Sequence, residues 1–372
     1  MIINIKNFNK DKDHDSEEII SIKNIITSFG EGKHIILAPK DFFSYVIQDN
    51  KSHFDRVIKT WANAAKNSQI EYKGLLYHVE FNVELDFTLS KGTKKWVNSA
   101  EGKEVFCVSS DFFYDSCSIQ KISVVSENPS DADFYGIIAN YFSKKINAGA
   151  CKILWNSENG GGGSTKDTFS RSIKDKKITL CIVDNDKKHP SGEKGTTCGA
   201  FGQQKYIDSG RVEIIPAHEV ECLIPIDTIE SLILNNLYPN DFIDDIDNLK
   251  KITYKCNNAK LYFDHKNGIS TKKAISLDKK YGSYWVPLIF DVENKKKNSC
   301  LREGECSCDE GKPCFQIRGY GSKLLINTIK HINENNSYNY TPKLPPPLES
   351  LWNEIGKLFF SWCCAPTKKI RV

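Results

Sequence analysis

Lys121-Ile-Ser-Val-Val-Ser-Glu127 runs into Asn128-Pro129-Ser130-Asp131, and then into Phe134, Tyr135, Ile138 and Phe142 at helical spacing. A β-branched apolar run closing on a glutamate, a Pro-containing turn and an amphipathic stretch read as strand, tight turn and helix. The same order recurs downstream. Lys152-Ile-Leu-Trp155 is the next strand candidate, followed by Asn159-Gly160-Gly161-Gly162-Gly163-Ser164-Thr165, a loop compact enough to need glycine. Lys177-Ile-Thr-Leu-Cys-Ile-Val183 is a buried-type strand that delivers Asp184 and Asp186 at its C-terminal end, flanking Asn185. Arg211-Val-Glu-Ile-Ile-Pro216 is the fourth, continuing through Ala217-His218-Glu219-Val220-Glu221. Strands alternating with helical patterns predict an α/β core with a parallel sheet.

In such sheets ligands bind outside the carboxyl ends of the strands. Glu127, Asp184, Asp186 and Glu221 are therefore expected to converge, although about 90 residues separate the first from the last. Carboxylates held close together raise one another's pKa unless a cation neutralises them. Mg2+, which prefers oxygen ligands and phosphate-bearing substrates, fits that need, and Mn2+ is its substitute. Side chains two apart on a strand share a face, which pairs Asp184 with Asp186 and Glu219 with Glu221. The alternative for the first pair is a capped turn before Lys187-Lys188-His189-Pro190, and for Asp131 a first-turn aspartate favoured by the helix dipole. The glycine run lacks the lysine of a phosphate-binding loop of the Gly-x-x-x-x-Gly-Lys-Ser/Thr type, and no other segment supplies one. It reads either as a place where substrate or metal approaches the sheet closely or as a plain turn.

Strand-Glu-Asn-x-x-Asp, a Gly-rich second turn and strand-Asp-x-Asp together resemble the Toprim domain of topoisomerases, primases and overcoming-lysogenization-defect (OLD) type nucleases. His218-Glu-Val-Glu221-Cys-Leu-Ile-Pro225 is similar to the glutamate-containing strand of the nuclease branch, which includes stand-alone Toprim effectors of bacterial anti-phage systems. The resemblance covers residues 121 to about 226. Asn128 stands where a glycine often follows the first glutamate, and Cys222 where the nucleases often have asparagine; neither departure removes a carboxylate. The resemblance implies that Glu127 is a general base or metal ligand and Asp131 a supporting ligand. It implies that Asp184 and Asp186 hold Mg2+ directly, and that Glu221, rather than Glu219, completes a second metal position. OLD-like nucleases also carry a functional lysine some tens of residues after their last glutamate, a placement similar to that of Lys266.

Outside this core the chain divides by pattern into an α+β N-terminal unit, residues 1–118, the Toprim-like domain, 119–249, and a basic, Cys-containing C-terminal region, 250–372. The first has strand or helix patterns at His34 to Pro39, Lys40 to Val46, Phe54 to Ala65, Gly74 to Leu89 and Val105 to Ser109, but no catalytic constellation. Its His34, His53 and His78 lack partners at metal-ligand spacing and read as structural or surface residues. Pro225 to Leu249 has helical periodicity, and Leu261-Tyr-Phe263 reads as a short strand. Lys251 to Lys330 contains 16 Lys/Arg against 8 Asp/Glu in a chain of net charge +4, the distribution a polyanionic substrate favours. Cys300-x5-Cys306-x-Cys308-x5-Cys314 offers four thiolates that can close a tetrahedral Zn2+ site; free surface thiols and a redox role are the alternatives. The Trp352, Phe359, Phe360 and Trp362 face of a terminal helix is expected to dock on the core or on a partner.

With 40% hydrophobic and 26% charged residues, the 372-residue composition is globular. No membrane-length apolar run and no signal-peptide core are visible, so a cytoplasmic protein with reduced thiols is expected. The Toprim resemblance implies Mg2+-dependent hydrolysis of phosphodiester bonds in DNA or RNA, in an anti-phage effector. A non-catalytic metal- and nucleic-acid-binding regulator or scaffold is the alternative, and a primase-like enzyme a further one. The chain carries no ATPase motif of its own, and the resemblance to Toprim effectors, which commonly work with such partners, implies that a separately encoded ATPase or the chain's own oligomeric state restrains it. The N-terminal unit and the C-terminal helix are the surfaces expected to make that contact.

Overall fold

A computed structural model describes residues 1–372 except 101, 293–298, 309–313, 336–339, 368–369 and 371–372. The chain packs as two units: residues 1–182, 203–213 and 353–372 form unit 1, and residues 183–202 and 214–352 form unit 2. These units cut across the boundaries at 118 and 249 read from the sequence pattern. The reason is long-range packing: Arg211 of unit 1, for example, pairs with Glu80 and Glu104 of its N-terminal third.

Unit 1 holds two mixed sheets whose inner strands are parallel. The first is built from β1 (Ile2–Lys6), β2 (Ile35–Leu37), β3 (Phe81–Asp86), β4 (Lys94–Asn98) and β5 (Glu104–Ser109). Its order is β2-β1-β3-β5-β4, with only the β4 edge antiparallel. Helices α1 (Ser16–Gly30), α2 (Lys40–Ile47) and α3 (Arg56–Lys73) accompany it. The opening strand, α1 and β4 were not visible in the sequence pattern. His34 is buried, with Nε2 at the carbonyls of Ile119 and Gln120, a structural role as expected.

The second sheet contains β6 (Ser123–Ser126), β8 (Asn156–Asn159), β9 (Thr179–Val183), β10 (Tyr206–Ile207) and β11 (Gly210–Ile214), in the order β10-β11-β9-β6-β8. β6 pairs in parallel with β8 and β9, and both β6 and β9 are buried throughout, which accounts for the mostly apolar Thr-Leu-Cys-Ile-Val of β9 and the Val-Val centre of β6. The chain runs from β6 to β8 on one side and returns to β9 on the other, so the strand order reverses between β6 and β9. Lys152 to Trp155 is not the sheet strand: β7 (Cys151–Ile153) pairs antiparallel with β14 (Cys364–Pro366), and the polar run Asn156–Asn159 lines up beside β6 instead. An edge strand needs no buried face, so it carried no apolar signal. Helix α4 (Pro129–Lys145) begins with proline at its first turn, and α5 (Thr165–Lys174) follows the glycine loop.

Unit 2 is mainly helical. It contains α6 (Thr196–Gly199), α7 (Ile226–Leu234), α8 (Ile243–Lys255), α9 (Thr271–Tyr281), α10 (Trp285–Val292), α11 (Ser299–Glu303) and α12 (Leu324–Glu334). A two-stranded ribbon, β12 (Gly268–Ser270) with β13 (Gln316–Arg318), joins them. Leu249, Ile252, Phe263, Trp285, Ile289 and Ile317 form its core. Leu261-Tyr-Phe263 is a helical turn ending in extended backbone rather than a strand, and Phe263 reaches the core from it.

The terminal helix α13 (Pro346–Cys363) turns its aromatic face inward. In unit 1 Trp362 stacks on Phe81 at 4.1 Å, and Phe359 meets the Trp155 ring edge to face. In unit 2 Trp352 donates to the Leu223 carbonyl at 2.8 Å. These side chains are fully buried by the chain itself, so the face expected to be available to a partner belongs to the core. Among the described residues no helix is long and apolar enough to cross a membrane.

Candidate metal centre

Two of the expected residues belong to unit 1. Glu127 follows β6 directly, and the glycine loop closes beside it: Gly160 N–H donates to Ser126 O at 2.7 Å and Gly161 N–H to Glu127 O at 3.0 Å. A Cβ at Gly160 would stand 2.6 Å from Ser126 O, so the loop's first glycine is required by close approach of two backbones. Asp131, 7% exposed, accepts the Asn128 N–H at 2.8 Å and forms a capping box at the start of α4. The helix cap thus accounts for one of its oxygens.

Asp184, Asp186, Glu219, Glu221 and Lys266 belong to unit 2, where Glu219, Glu221 and Lys266 meet. Lys266 Nζ lies 3.2 Å from Glu219 and 3.5 Å from Glu221. The segment carrying the two glutamates is not a continuing strand. Glu219 is extended, and Val220–Leu223 turns into a single 3-10 turn. Backbone bonds fix its start: Asn185 N–H reaches Ala217 O, Asp186 N–H reaches His218 O, and Asp184 accepts the Val220 N–H at 3.3 Å. The two glutamates therefore converge because the turn folds around one lysine, not by strand periodicity.

Asp184 and Asp186 likewise fall outside that periodicity. β9 ends at Val183, and Asp186 adopts left-handed backbone at φ 59°, which aspartate tolerates better than most residues. Gly195 packs against it so closely that a Cβ there would overlap the Asp186 carboxylate. Burial raises the Asp186 carboxyl, with Lys188 and Lys266 opposing.

The electrostatics of the cluster are unbalanced. Burial first and Glu221 second push Glu219 up to about 7, against the pull of Lys266. Burial disfavours the Lys266 ammonium, yet Glu221, Glu219 and Asp184 hold its pKa above the ordinary range. Three carboxylates thus act on one ammonium. Glu221 Oε2 is buried with no hydrogen-bond partner among the described residues, and so is His218 Nδ1. Burial keeps His218 neutral, down to about 4, which leaves its imidazole able to act as a ligand.

Beside these lies a second arrangement that the sequence reading missed. His218, Glu219 and Asp264, all buried, bring donor atoms within 4.8 Å of one another. Despite burial, Lys188 at 2.7 Å, the Asn267 N–H and Lys273 at 3.0 Å hold the Asp264 carboxyl well below its usual range. The adjacency Asp264-His265-Lys266 was the available signal, since it sets a carboxylate two residues before the lysine.

Oxygen and neutral-nitrogen donors, an orphaned buried carboxylate oxygen and surplus negative charge suit a hard or borderline divalent cation such as Mg2+ or Mn2+. Glu219, His218 and Asp264, whose donor atoms lie together, could hold it, with Glu221 and Asp184 beside them on the turn around Lys266. No family model, curated protein or solved structure matches the chain, so the chemistry rests on the site's own geometry.

Proposed function

We propose that this chain is a metal-dependent nuclease that hydrolyses phosphodiester bonds in DNA or RNA, built on a Toprim-like core and acting as an anti-phage effector. One observation carries the reading: Glu219 and Glu221, both buried, share a single partly exposed lysine, and one Glu221 oxygen has no partner among the described residues. A site with only structural work to do would satisfy that oxygen. A divalent ion, which Glu219 and Glu221 would hold, would supply Lewis-acid polarisation of a phosphoryl oxygen and activation of a water for in-line attack.

The chain's own groups do the rest. The Lys266 side chain is 41% accessible, whereas those of Glu219 and Glu221 are 6% and 3%. A phosphate approaching from solvent therefore meets the ammonium before it meets the carboxylates, and Lys266 neutralises charge as it develops on the phosphoryl oxygens. Lys188 and Lys273, anchored on Asp264, extend the positive rim along which a polyanion is guided. Glu127 and Asp131 enter this reaction through the Toprim resemblance alone, as ligand or base and as supporting ligand. A chain without a phosphate-binding loop needs outside control, which a separately encoded ATPase or self-association supplies.

Incubation with supercoiled plasmid, single-stranded DNA and tRNA in EDTA, Mg2+ or Mn2+ tests the proposal, with Asp184→Ala as control. Cleavage that requires the ion and disappears in a folded Asp184→Ala protein is the expected result. Gel shifts without cleavage would instead mark a non-catalytic binder, and nucleotide incorporation a primase.

A further inference from the structure

The four clustered cysteines of unit 2 take no part in the reading above. Cys300, Cys306, Cys308 and Cys314 place all four Sγ atoms within 4.8 Å of one another. Cys300 and Cys308 are 3.8 Å apart, and Cys306 and Cys314 3.7 Å. These separations choose between chemistries. A disulfide needs about 2.05 Å between sulfurs. Four thiolates at about 2.3 Å from a central ion form a tetrahedron with edges of about 3.8 Å. An iron–sulfur cluster, with several irons and sulfides between its ligands, holds its cysteines farther apart than this.

We propose that Cys300, Cys306, Cys308 and Cys314 bind one zinc ion in a closed tetrahedral site that fixes the β13 arm of unit 2. Soft sulfur donors in this geometry select zinc over the hard cations suited to the carboxylate centre. With four protein ligands no position stays open for substrate, so the ion is structural.

The ligands ride on elements too short to order themselves. Cys300 sits on the five-residue helix α11, whose Leu301 is buried in the unit 2 core. Cys306 packs against the same core, as does Phe315, the neighbour of Cys314. From Cys314 the chain enters β13, paired with β12 through Ile317 and Ile269. Just beyond it, Tyr320 N–H donates to His265 O at 2.7 Å and Gly321 N–H to Lys266 O at 3.1 Å. The zinc site thereby anchors the strand whose end is bonded to the backbone carrying Lys266, and it governs the position of that lysine without touching the carboxylates.

Metal analysis of the purified full-length chain after dialysis against EDTA without denaturant is the test. One zinc per chain is expected, released on titration with a mercurial that caps thiols. Replacement by Co2+ should give thiolate-to-metal charge-transfer absorption of four-sulfur character. Cys306→Ser should lose the zinc; because that variant can also misfold, the wild-type stoichiometry and the cobalt spectrum decide independently of it. A folded wild-type protein without zinc, one iron per chain in its place, or Cys300–Cys308 and Cys306–Cys314 disulfides in non-reducing peptide maps would each overturn the assignment. None of these readouts depends on nuclease activity, so the zinc site and the carboxylate centre stand or fall separately.

Discussion

Replacing Glu219 with glutamine should make the metal-free protein more stable at pH 8 while leaving it nearly unchanged at pH 5. Burial and Glu221 raise the native carboxyl to about 7, from an ordinary value of 4.5. Between those two pH values the native state holds a proton that the unfolded chain releases, so stability falls as pH rises through the window. A shift of that size corresponds to on the order of 3 kcal/mol at pH 8. His218, lowered to about 4 by burial, acts with the opposite sign over roughly the same window, because its unfolded form binds the extra proton. His34 and His265, held neutral by burial, oppose it likewise. The quantity to measure is therefore the difference between wild type and Glu219→Gln, in which the histidine contributions cancel. Urea denaturation in EDTA at pH 5, 6, 7 and 8 gives that difference, which should grow with pH. Metal replaces the missing proton, so Mg2+ at about 100 times its dissociation constant should stabilise wild type by about 2.7 kcal/mol at pH 8. The glutamine variant should respond much less. Parallel stability curves for the two proteins across this range would refute the buried-carboxylate account.

Further outcomes follow from single contacts. Lys266→Met should lower metal-dependent cleavage on the order of 10²–10³-fold through lost charge stabilisation, with kcat affected more than nucleic-acid affinity; steady-state kinetics and filter binding separate the two. Gly195→Ala should cost about 1–3 kcal/mol of stability, because the added methyl displaces the Asp186 carboxylate, as read by calorimetric unfolding. Deleting residues 348–372 should abolish folding rather than release activity, because Trp352, Phe359, Phe360 and Trp362 are buried and β14 pairs with β7; near-ultraviolet circular dichroism reports it.

How far the sequence reached depends on which physical signal each element left in it. β6 and β9 are buried on both faces, and that burial shows in the β-branched and apolar Val124-Val125 and Leu180-Cys-Ile-Val183, so both strands and the acids after them were legible. β8 is an edge strand of polar residues, and its signal was borrowed by the apolar Lys152-Ile-Leu-Trp155 beside it, whose true partner β14 lies more than 200 residues away. The same distinction governs the site. Glu219, Glu221 and Lys266 were visible as acidic and basic positions of about the right spacing, yet periodicity gave the wrong reason for their meeting. Their geometry comes from a turn fixed by Asp184 on the Val220 N–H and by backbone bonds from Asn185 and Asp186, none of which a two-residue repeat encodes. Asp264 was hidden for a related cause: its role depends on Lys188, 76 residues away in the chain, joining the nearby Lys273 on its carboxylate. Residue type and order announce the donors of a metal centre, whereas the counter-charges that decide which donors remain available are set by tertiary packing alone.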